Sequence, residues 1–339
     1  MKHSISIADV ARAANVSHST VSRALRDSPL ISAEVRQRVQ HLAREMGYTP
    51  NAIAQSLKQQ RTNTLGLIVT SIADPFYADV IKGVEETARP AGMSVFISAT
   101  YNDESQELAV IETFHRRKVD GIIVVSSRIA QNYQRLRRLG VPAVLVNNEA
   151  NIGGQVLHSV LIDDYAGASL AMRHLIDLGH RQIGYLGITN RPYSNEQRHR
   201  AYLDALRAAG LPIDPRAIMI VDSPGPDTDD VLASARQMPR MLESGVTAVF
   251  CYNDLIAIGA LLACRERGIV VPGQLSVVGF DDIALAQYVS PSLTTVAQPR
   301  RDLGGRAMRM LLDLMDGQPV TDVVLAPTLS ARSSTASPP

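Results

Sequence analysis

The spacing of hydrophobic and polar positions changes near residue 62, and the two sides predict different folds. Before residue 62, apolar residues recur three and four positions apart, which is the spacing of one face of an α-helix. After it, short apolar runs rich in Val and Ile alternate with helical stretches, beginning with LGLIVT at 65–70. Such runs are typical of buried parallel strands joined by helical crossovers. The pattern therefore predicts a small all-α head and a larger α/β body.

The first 49 residues predict three short helices with a tight turn between the first two. Ser6 precedes an apolar-periodic stretch and is followed three residues later by an acid, which is the pattern of a helix N-cap. Asn15 tolerates the left-handed backbone of a tight turn, while Ser17 and Ser32 can cap the second and third helices. This arrangement predicts a helix-turn-helix unit, and the alternative is a three-helix protein-interaction bundle.

The second helix has a polar face that its own packing does not require. This face carries short donors and acceptors and one long cation, which suit base edges and phosphates in a major groove. Its members are His18, Ser19, Ser22 and Arg23. Residues 1–61 hold nine Lys or Arg against four acids, whereas the remainder holds 25 basic and 29 acidic residues. A basic head on a mildly acidic body favours binding of phosphates by the head.

Residues 50–61 predict a hinge between the head and the body. Pro50 ends the third helix, and Asn51 can cap a further short helix over residues 52–57. One and a half helical turns are not stable alone in water, because helix nucleation is costly. We therefore expect the hinge helix to fold only when the protein binds DNA.

The body shows two successive series of alternating strands and helices, and the rhythm restarts after Asp163. Two similar, doubly wound parallel-sheet subdomains are therefore predicted. The segment TVAQP at 295–299 and the helix over 300–315 read as a return crossover to the first subdomain. The predicted units are a head at 1–49, a hinge at 50–61 and a body at 62–339, divided into a first subdomain at about 62–161 and 292–320 and a second at about 162–291 and 321–332.

A cluster of polar residues is predicted at the carboxyl ends of the strands, where ligands of such sheets bind. These residues include amides, carboxylates, an arginine and an aromatic pair, which suit a polyol or a similar polar small molecule. They are Asp74–Tyr77, Ser126–Arg128, Asn147–Asn148, Thr189–Arg198, Asn253–Asp254, Asp281–Asp282 and Gln298. For Asp254 and Asp282, capping of the next helix is an equally good interpretation.

Two segments, IADVARAANVSHSTVSRAL at 7–25 and GYTPNAIAQSLKQQRTNTLGLIV at 47–69, resemble the N-terminal signature of the lactose-repressor/galactose-repressor family. The match extends over nearly the whole chain, although Asn15 stands where the family usually has Gly. The resemblance implies that the second helix enters the major groove. We accordingly expect DNA contacts from Ser6, Ser17, His18, Ser19, Thr20, Ser22 and Arg23.

The family resemblance also implies a role for the hinge. Hinge helices of the family pair across a dimer, and each inserts one Leu between base pairs in the minor groove. Leu57 occupies that position, with Asn51 and Ala54 on the same short helix and Lys58 near the phosphates. Such an apolar wedge unstacks one base step and kinks the duplex. The alternative is that Leu57 packs against the body.

The body is similar to periplasmic sugar-binding proteins, and the family resemblance implies which of its residues contact an effector. Arg198 resembles the ligand-clamping arginine, and Asp281 resembles the carboxylate that binds hydroxyl groups. The full expected set is Phe76, Asn147, Ser194, Arg198, Asn253, Asp281 and Gln298. The loop SPGPDTDD at 223–230 lacks the aromatic residue of many sugar-binding members, which favours a different or smaller effector.

These features predict a homodimeric transcription regulator, by default a repressor, that binds a palindromic operator. A sugar, polyol or sugar acid would change the angle between the subdomains and so the affinity for DNA. A dimer is expected because the C-terminus has no leucine heptads like those that form tetramers in one relative. A solute-binding protein without a DNA role is the second hypothesis, but it predicts a signal peptide and no basic head.

An α/β enzyme is the third hypothesis, and it has the least support. The sequence has no G-x-G-x-x-G after a strand, no P-loop and no nucleophile elbow. We expect no metal and no cofactor, since no two histidines share the i, i+4 spacing of a helical metal site. Cys251 and Cys264 are expected as buried core residues in a reducing cytoplasm, and no run of residues is apolar enough to span a membrane.

Overall fold

The structure is a computed structural model, and it describes residues 5–48, 61–126, 130–148, 151–152, 155–189, 191–222 and 230–339. The chain divides into two compact units, Met1–Thr62 and Asn63–Pro339. The division falls where the spacing of the hydrophobic residues changes. Among the described residues, no helix has the length and apolar content needed to cross a membrane.

The head consists of three helices, α1 (Ile7–Ala14), α2 (His18–Ala24) and α3 (Ala33–Glu45). Ser6 caps α1 in a capping box, because its hydroxyl accepts from the backbone N–H of Asp9 and the Asp9 carboxylate accepts from the backbone N–H of Ser6. Asn15 ends α1 in the left-handed conformation, with φ of 53°. The helix-turn-helix prediction is confirmed.

The body alternates strands and helices as the sequence predicts. Its elements as far as residue 177 are β1 (Thr64–Val69), α4 (Pro75–Ala88), β2 (Ser94–Ala99), α5 (Glu104–Arg116), β3 (Gly121–Val125), α6 (Ala130–Arg138), β4 (Ala143–Val146), β5 (Asn151–Ile152), β6 (Gln155–Val156), β7 (His158–Ile162) and α7 (Asp164–Asp177). Those that follow are β8 (Ile183–Ile188), α8 (Pro192–Ala208), a 3-10 turn (Pro215–Ala217), β9 (Ile218–Val221), α9 (Asp230–Leu242), β10 (Ala248–Cys251), α10 (Asp254–Glu266), β11 (Ser276–Asp281), α11 (Leu285–Tyr288), β12 (Thr294–Ala297), α12 (Arg300–Met315), β13 (Val323–Leu325) and β14 (Thr328–Ser330).

Two six-stranded sheets form the centres of two subdomains. The first has the strand order β13-β7-β4-β3-β1-β2 and is parallel throughout. The second has the order β14-β12-β11-β10-β8-β9, in which only β14 is antiparallel to its neighbour. Each sheet has an apolar core on both faces. The predicted fold class of two doubly wound subdomains is confirmed.

The chain passes between the two sheets three times, and two of these passages differ from the predicted boundaries. The strand β12 belongs to the second sheet, whereas the sequence predicts residues 292–320 in the first subdomain. The strand β13 pairs with β7 in the first sheet, whereas the sequence predicts residues 321–332 in the second subdomain. The passages therefore lie between β7 and α7, between β12 and α12, and between β13 and β14.

The core of the second subdomain contains both cysteines. Cys251 lies on β10 and Cys264 on α10, and both are buried as free thiols. Burial raises the pKa of each thiol, so both groups are protonated and behave as small apolar side chains.

Candidate functional site

The N-terminus of α2 presents a group of exposed polar side chains. The hydroxyl of Ser17 accepts from the backbone N–H of Thr20 at 3.2 Å and also contacts the hydroxyl of Ser19 at 2.8 Å. Val21 and Ala24 are buried on the opposite side of the helix, which fixes its orientation on the head. His18, Ser19 and Arg23 are therefore exposed together, as the sequence predicts.

Arg26 is a cation on this part of the head that the sequence analysis did not identify. Its Nε donates to the backbone oxygen of Ser22 at 3.0 Å, and a terminal nitrogen donates to the Ser22 hydroxyl at 3.2 Å. Ser22 is thus held by Arg26 and only half-exposed. Arg26 stands four residues after Ser22, just beyond the end of α2, and this i, i+4 spacing is the sequence signal that could have found the pair.

Several predicted residues lie outside the part of the chain that the structure describes. The hinge residues Asn51, Ala54, Leu57 and Lys58 are among them, so the insertion of Leu57 into DNA stays a prediction. The polar loop at 223–229 also lies outside the described residues.

In the second subdomain, Arg198 is buried in α8 and held by residues of that subdomain. Its Nε donates to the Asp164 carboxylate at 2.8 Å, one terminal nitrogen lies 2.7 Å from the same oxygen, and the other donates to the backbone oxygen of Tyr252. The guanidinium carbon lies 3.6 Å from the centroid of the Phe280 ring. Ion pairing and a cation–π contact therefore fix the direction in which Arg198 points.

The charges of Arg198 and Asp164 depend on each other. Burial raises the pKa of the Asp164 carboxyl, while the positive charge of Arg198 opposes that shift. Burial disfavours the charged form of Arg198, but the negative charge of Asp164 holds its pKa above the ordinary value. Asp164 was not among the predicted site residues, although it stands directly after the point at which the strand-and-helix rhythm restarts.

Asp281 and Gln298 meet at the carboxyl ends of β11 and β12, as predicted. The side-chain nitrogen of Gln298 donates to the Asp281 carboxylate at 2.5 Å, and both residues are buried. Burial raises the pKa of the Asp281 carboxyl well above its usual range. The side-chain oxygen of Gln298 is buried and has no hydrogen-bond partner among the described residues. An unsatisfied acceptor of this kind costs about 1–3 kcal/mol, which a hydroxyl group of a ligand would recover.

Asp281 also has an unusual backbone conformation. Its φ is 121°, a region that residues with a Cβ rarely adopt. Arg300 donates to the backbone oxygens of Asp281 and Asp282, and these contacts hold the turn. Strained backbone of this kind concentrates at ligand-binding sites, which supports the predicted role of Asp281.

The remaining predicted effector residues each have a structural contact. Asn253 caps α10, because its side-chain oxygen accepts from the backbone N–H of Ile256 at 2.9 Å. Ser194 hydrogen-bonds to the hydroxyl of Tyr252 at 2.7 Å. These contacts orient the two side chains and leave their assignment as effector ligands a prediction.

Asn147 and Phe76 belong to the first subdomain. The side-chain oxygen of Asn147 accepts from the backbone N–H of Ile162 at 3.2 Å, which joins the ends of β4 and β7. Phe76 packs edge-on against Tyr77, with ring centroids 5.3 Å apart, and is buried in the core between the first sheet and α4. Phe76 therefore packs in the core of the first subdomain at the N-terminus of α4.

Helix capping, the alternative interpretation of Asp254 and Asp282, is wrong for both residues. The Asp254 carboxylate accepts from the Thr295 hydroxyl and from the backbone N–H of Ile283, while Asn253 caps the helix. Asp282 pairs with Arg332 at 2.6 Å. Both carboxylates therefore stabilise the ends of β11 and β12.

Arg191 reaches from the start of α8 into the first subdomain. It donates to the Asn102 side-chain oxygen at 3.0 Å, to the Thr70 hydroxyl at 2.9 Å and to the Tyr77 hydroxyl at 2.8 Å. All three acceptors lie at or near the carboxyl ends of strands of the first sheet. Arg191 lies in the predicted loop at 189–198, and its position seven residues before Arg198 is the sequence signal that could have identified it.

Arg300 makes a second connection between the subdomains. It pairs with Asp79 on α4 at 2.7 Å while donating to the backbone oxygens that follow β11. Two arginines thus bridge the cleft between the two sheets: Arg191 reaches neutral acceptors of the first subdomain, and Arg300 contacts acceptors on both sides.

Comparisons with known proteins match both parts of the chain. Residues 6–51 match the family "Bacterial regulatory proteins, lacI family", and residues 172–335 match the family "Periplasmic binding protein-like domain". The chain is 36% identical over 312 residues to the HTH-type transcriptional repressor CytR of Escherichia coli (strain K12), covering 92% of this chain and 90% of that protein.

Solved structures agree with this result. The lac repressor dimer bound to operator and the anti-inducer ONPF has a TM-score of 0.86 at 28% identity, covering 98% of this chain and 99% of that one. The complex of the transcriptional regulator CelR with cellobiose has a TM-score of 0.73 at 30% identity, covering 97% of this chain and 99% of that one.

Proposed function

Because the chain belongs to the LacI family of bacterial regulatory proteins, it is a DNA-binding transcription regulator and not an enzyme, and we propose that it is a repressor. In this proposal it acts in the cytoplasm, binds a palindromic operator as a homodimer and responds to a small polar effector. The observation that carries the proposal is the exposed polar face of α2. This helix belongs to a helix-turn-helix in which Ser6 and Ser17 cap the first two helices.

The DNA contacts of the proposal begin with α2. Ser17, His18, Ser19, Thr20 and Arg23 would contact bases and backbone in the major groove. The N-terminus of α2, where Ser17 accepts from the backbone N–H of Thr20, carries a partial positive charge that favours an approach to phosphate. Ser6 and Ser22 would support these contacts at the edge of the groove. In the hinge, Asn51, Ala54, Leu57 and Lys58 would complete the interface in the minor groove.

The effector in the proposal is a sugar, polyol or sugar acid bound in the cleft of the body. The strongest support comes from the oriented guanidinium of Arg198 and from the Asp281–Gln298 pair with its unsatisfied buried acceptor. Hydroxyl groups of a ligand can donate to Gln298 and accept from Arg198. The other expected contacts are Phe76, Asn147, Ser194 and Asn253.

Effector binding would be linked to DNA binding through the angle between the subdomains. Arg191 and Arg300 connect the two sides of the cleft, so a ligand that changes their contacts changes the relative stability of open and closed forms. A coupling free energy of about 1–3 kcal/mol between ligand and operator is sufficient for regulation.

A selection experiment tests the proposal. The full-length protein would select binding sites from a pool of random duplexes, with and without a library of sugars, polyols and sugar acids. The expected result is one palindromic site whose affinity changes with a single effector class. That effector should also raise the melting temperature, because it binds the folded state. Recovery of no preferred palindrome under any condition would refute the proposal.

A further inference from the structure

A group of basic side chains lies on the first subdomain and takes no part in the site described above. Residues 112–120 and 135–138 hold six Lys or Arg, against only Glu112 and Asp120. Five of the six are exposed, and we refer to these five as the basic cluster. Its members are Arg116, Arg117, Lys118, Arg137 and Arg138.

The basic cluster lies at the edge of the first sheet where the strands begin. The backbone N–H of Asp120 donates to the oxygen of Thr64, the first residue of β1, at 2.8 Å. The C-terminus of α5 is therefore beside the point at which the chain enters the body. The C-terminus of α6 lies at the same edge, since the backbone N–H of Ile122 donates to the oxygen of Pro142 at 2.9 Å, just before β4.

The two carboxylates near the basic cluster leave most of its charge in place. Glu112 pairs with Arg135, the sixth basic residue, at 2.6 Å, and this hydrogen bond holds the pKa of the Glu112 carboxyl below its usual range. Asp120 is only half-exposed and is separated by one residue from Lys118. The five exposed cations thus outnumber the carboxylates that can neutralise them.

The opposite face of the same sheet edge differs in charge. There α4 ends with Glu85 paired to Arg89 at 3.0 Å, and α12 ends among the exposed carboxylates Asp313 and Asp316. Cations are favoured at helix C-termini by about 0.3–1 kcal/mol each through the helix dipole. Because α12 ends among carboxylates at the same edge, the helix dipole alone does not explain the charges of the side chains at helix C-termini. The basic cluster therefore needs another explanation.

We propose that the basic cluster is a second DNA-contacting surface, which binds phosphates of the duplex that flanks the operator. The cluster adjoins Thr64, and the chain before this residue leads to the DNA-binding head. Long exposed cations bind phosphates without reading sequence, so this surface adds affinity and salt dependence but no base specificity. The inference rests on the proposed function only for the position of the operator, because the cluster itself would bind any duplex.

The test uses the full-length protein and two groups of four substitutions. The first variant carries Arg116→Gln, Arg117→Gln, Arg137→Gln and Arg138→Gln. The control variant carries the same loss of charge on exposed arginines of the second subdomain, Arg173→Gln, Arg240→Gln, Arg265→Gln and Arg267→Gln. Binding is measured against salt concentration on two duplexes that share one operator, one of about 20 base pairs and one of about 60 base pairs.

The expected result separates the two duplexes. On the longer duplex the first variant should bind roughly tenfold more weakly, and its slope of log K against log salt should fall by about 2–4, at about 0.9 per lost phosphate contact. On the shorter duplex it should bind like the wild type, and the control variant should do so on both. A variant with only Arg137→Gln and Arg138→Gln should lose about half of the slope.

Three results would overturn the inference. Equal affinities of wild type and first variant on the longer duplex would show that the cluster does not contact DNA. Equal losses in the first and control variants would reduce the effect to overall net charge. Unchanged duplex binding with weaker retention on heparin would assign the surface to another polyanion. If the selection of binding sites from random duplexes yields no operator, an arbitrary duplex of about 60 base pairs takes the place of the operator duplex. Failure of the proposed function is thereby distinguishable from failure of this inference.

Discussion

The two subdomains share a topology but satisfy the polar groups at their cleft in different ways. In the second, Arg198 pairs with Asp164, and Asp281 accepts from Gln298, so the partners belong to the same subdomain. In the first, Thr70 donates to Tyr77, and both hydroxyls then accept from Arg191 of the second subdomain.

This difference indicates that the two subdomains of the body have different roles. In the second subdomain the side chains of Arg198 and Asp281 are oriented by partners of the same subdomain, so they keep these contacts when the cleft opens, although Arg300 also holds the Asp281 backbone from the other side. The first subdomain gains part of its order from contact across the cleft. Ligand affinity should therefore depend most on the second subdomain, and the closure of the cleft should depend on the contacts between the two.

The largest effect is expected from Arg198→Ala. The substitution leaves Asp164 buried without its partner, so the free energy of unfolding should fall by about 3–5 kcal/mol. The increase in melting temperature caused by the effector should also disappear, while operator binding without effector remains. Denaturant unfolding and thermal-shift measurements check both parts. A variant that responds normally to the effector would contradict the role of the second subdomain as the preorganised half.

The second prediction concerns Asp254, because burial raises the pKa of its carboxyl to about 7. A carboxyl whose pKa is raised in the folded state binds more protons when folded than when unfolded. Its contribution to stability is therefore present at low pH and is lost as the pH rises from about 4 to about 7, at up to about 1.4 kcal/mol per pH unit. Asp254→Asn should remove this component from the pH dependence of the unfolding free energy.

The pH experiment has a clear control. Asp214 is a half-exposed carboxylate of the second subdomain, whose pKa is lowered by hydrogen bonds from Arg216. Asp214→Asn should therefore leave the loss of stability between about pH 4 and pH 7 in place. An identical pH profile for wild type and Asp254→Asn would show that Asp254 does not titrate in this range.

The smallest effect is expected from Arg191→Met, which removes the hydrogen bonds across the cleft. Each net hydrogen bond contributes about 0.5–1.5 kcal/mol, and water replaces part of it when the cleft opens. We expect a larger radius of gyration in small-angle X-ray scattering, with a loss of about 1–2 kcal/mol in unfolding free energy. Thr70→Val removes one acceptor and should give a smaller change in the same direction. An unchanged radius for Arg191→Met would show that the contact does not hold the cleft closed.

The head and most of the strand-and-helix order were predictable because their signals are local. Ser6, Asn15 and Ser17 act within three or four residues of their own positions, so the sequence places them directly. By contrast, β12 was missed as a strand of the second sheet, because Thr294 and Thr295 look polar but are fully buried. Their side-chain hydroxyls contact Thr335 and Asp254 respectively, each 41 residues away along the chain.

The candidate site was predictable where strand ends defined it and was missed where folding brought distant residues together. Asp281 and Gln298 follow neighbouring strands, so their meeting could be expected. The reach of Arg191 to Tyr77 spans 114 residues and depends on the closed arrangement of two subdomains. The role of Asp254 stays open in the sequence because Asn and Asp are both good helix caps, and only the structure shows that Asn253 has that place.

Three connecting segments of the chain link the two subdomains, and this number limits how the body can deform. A single connection would let one half swivel freely, whereas three side-by-side connections leave bending about one shared axis as the easiest movement. Small adjustments of backbone angles at these crossings suffice for such bending. Ligands of different chemistry can therefore affect the rest of the protein through the same variable, the angle by which the two subdomains open.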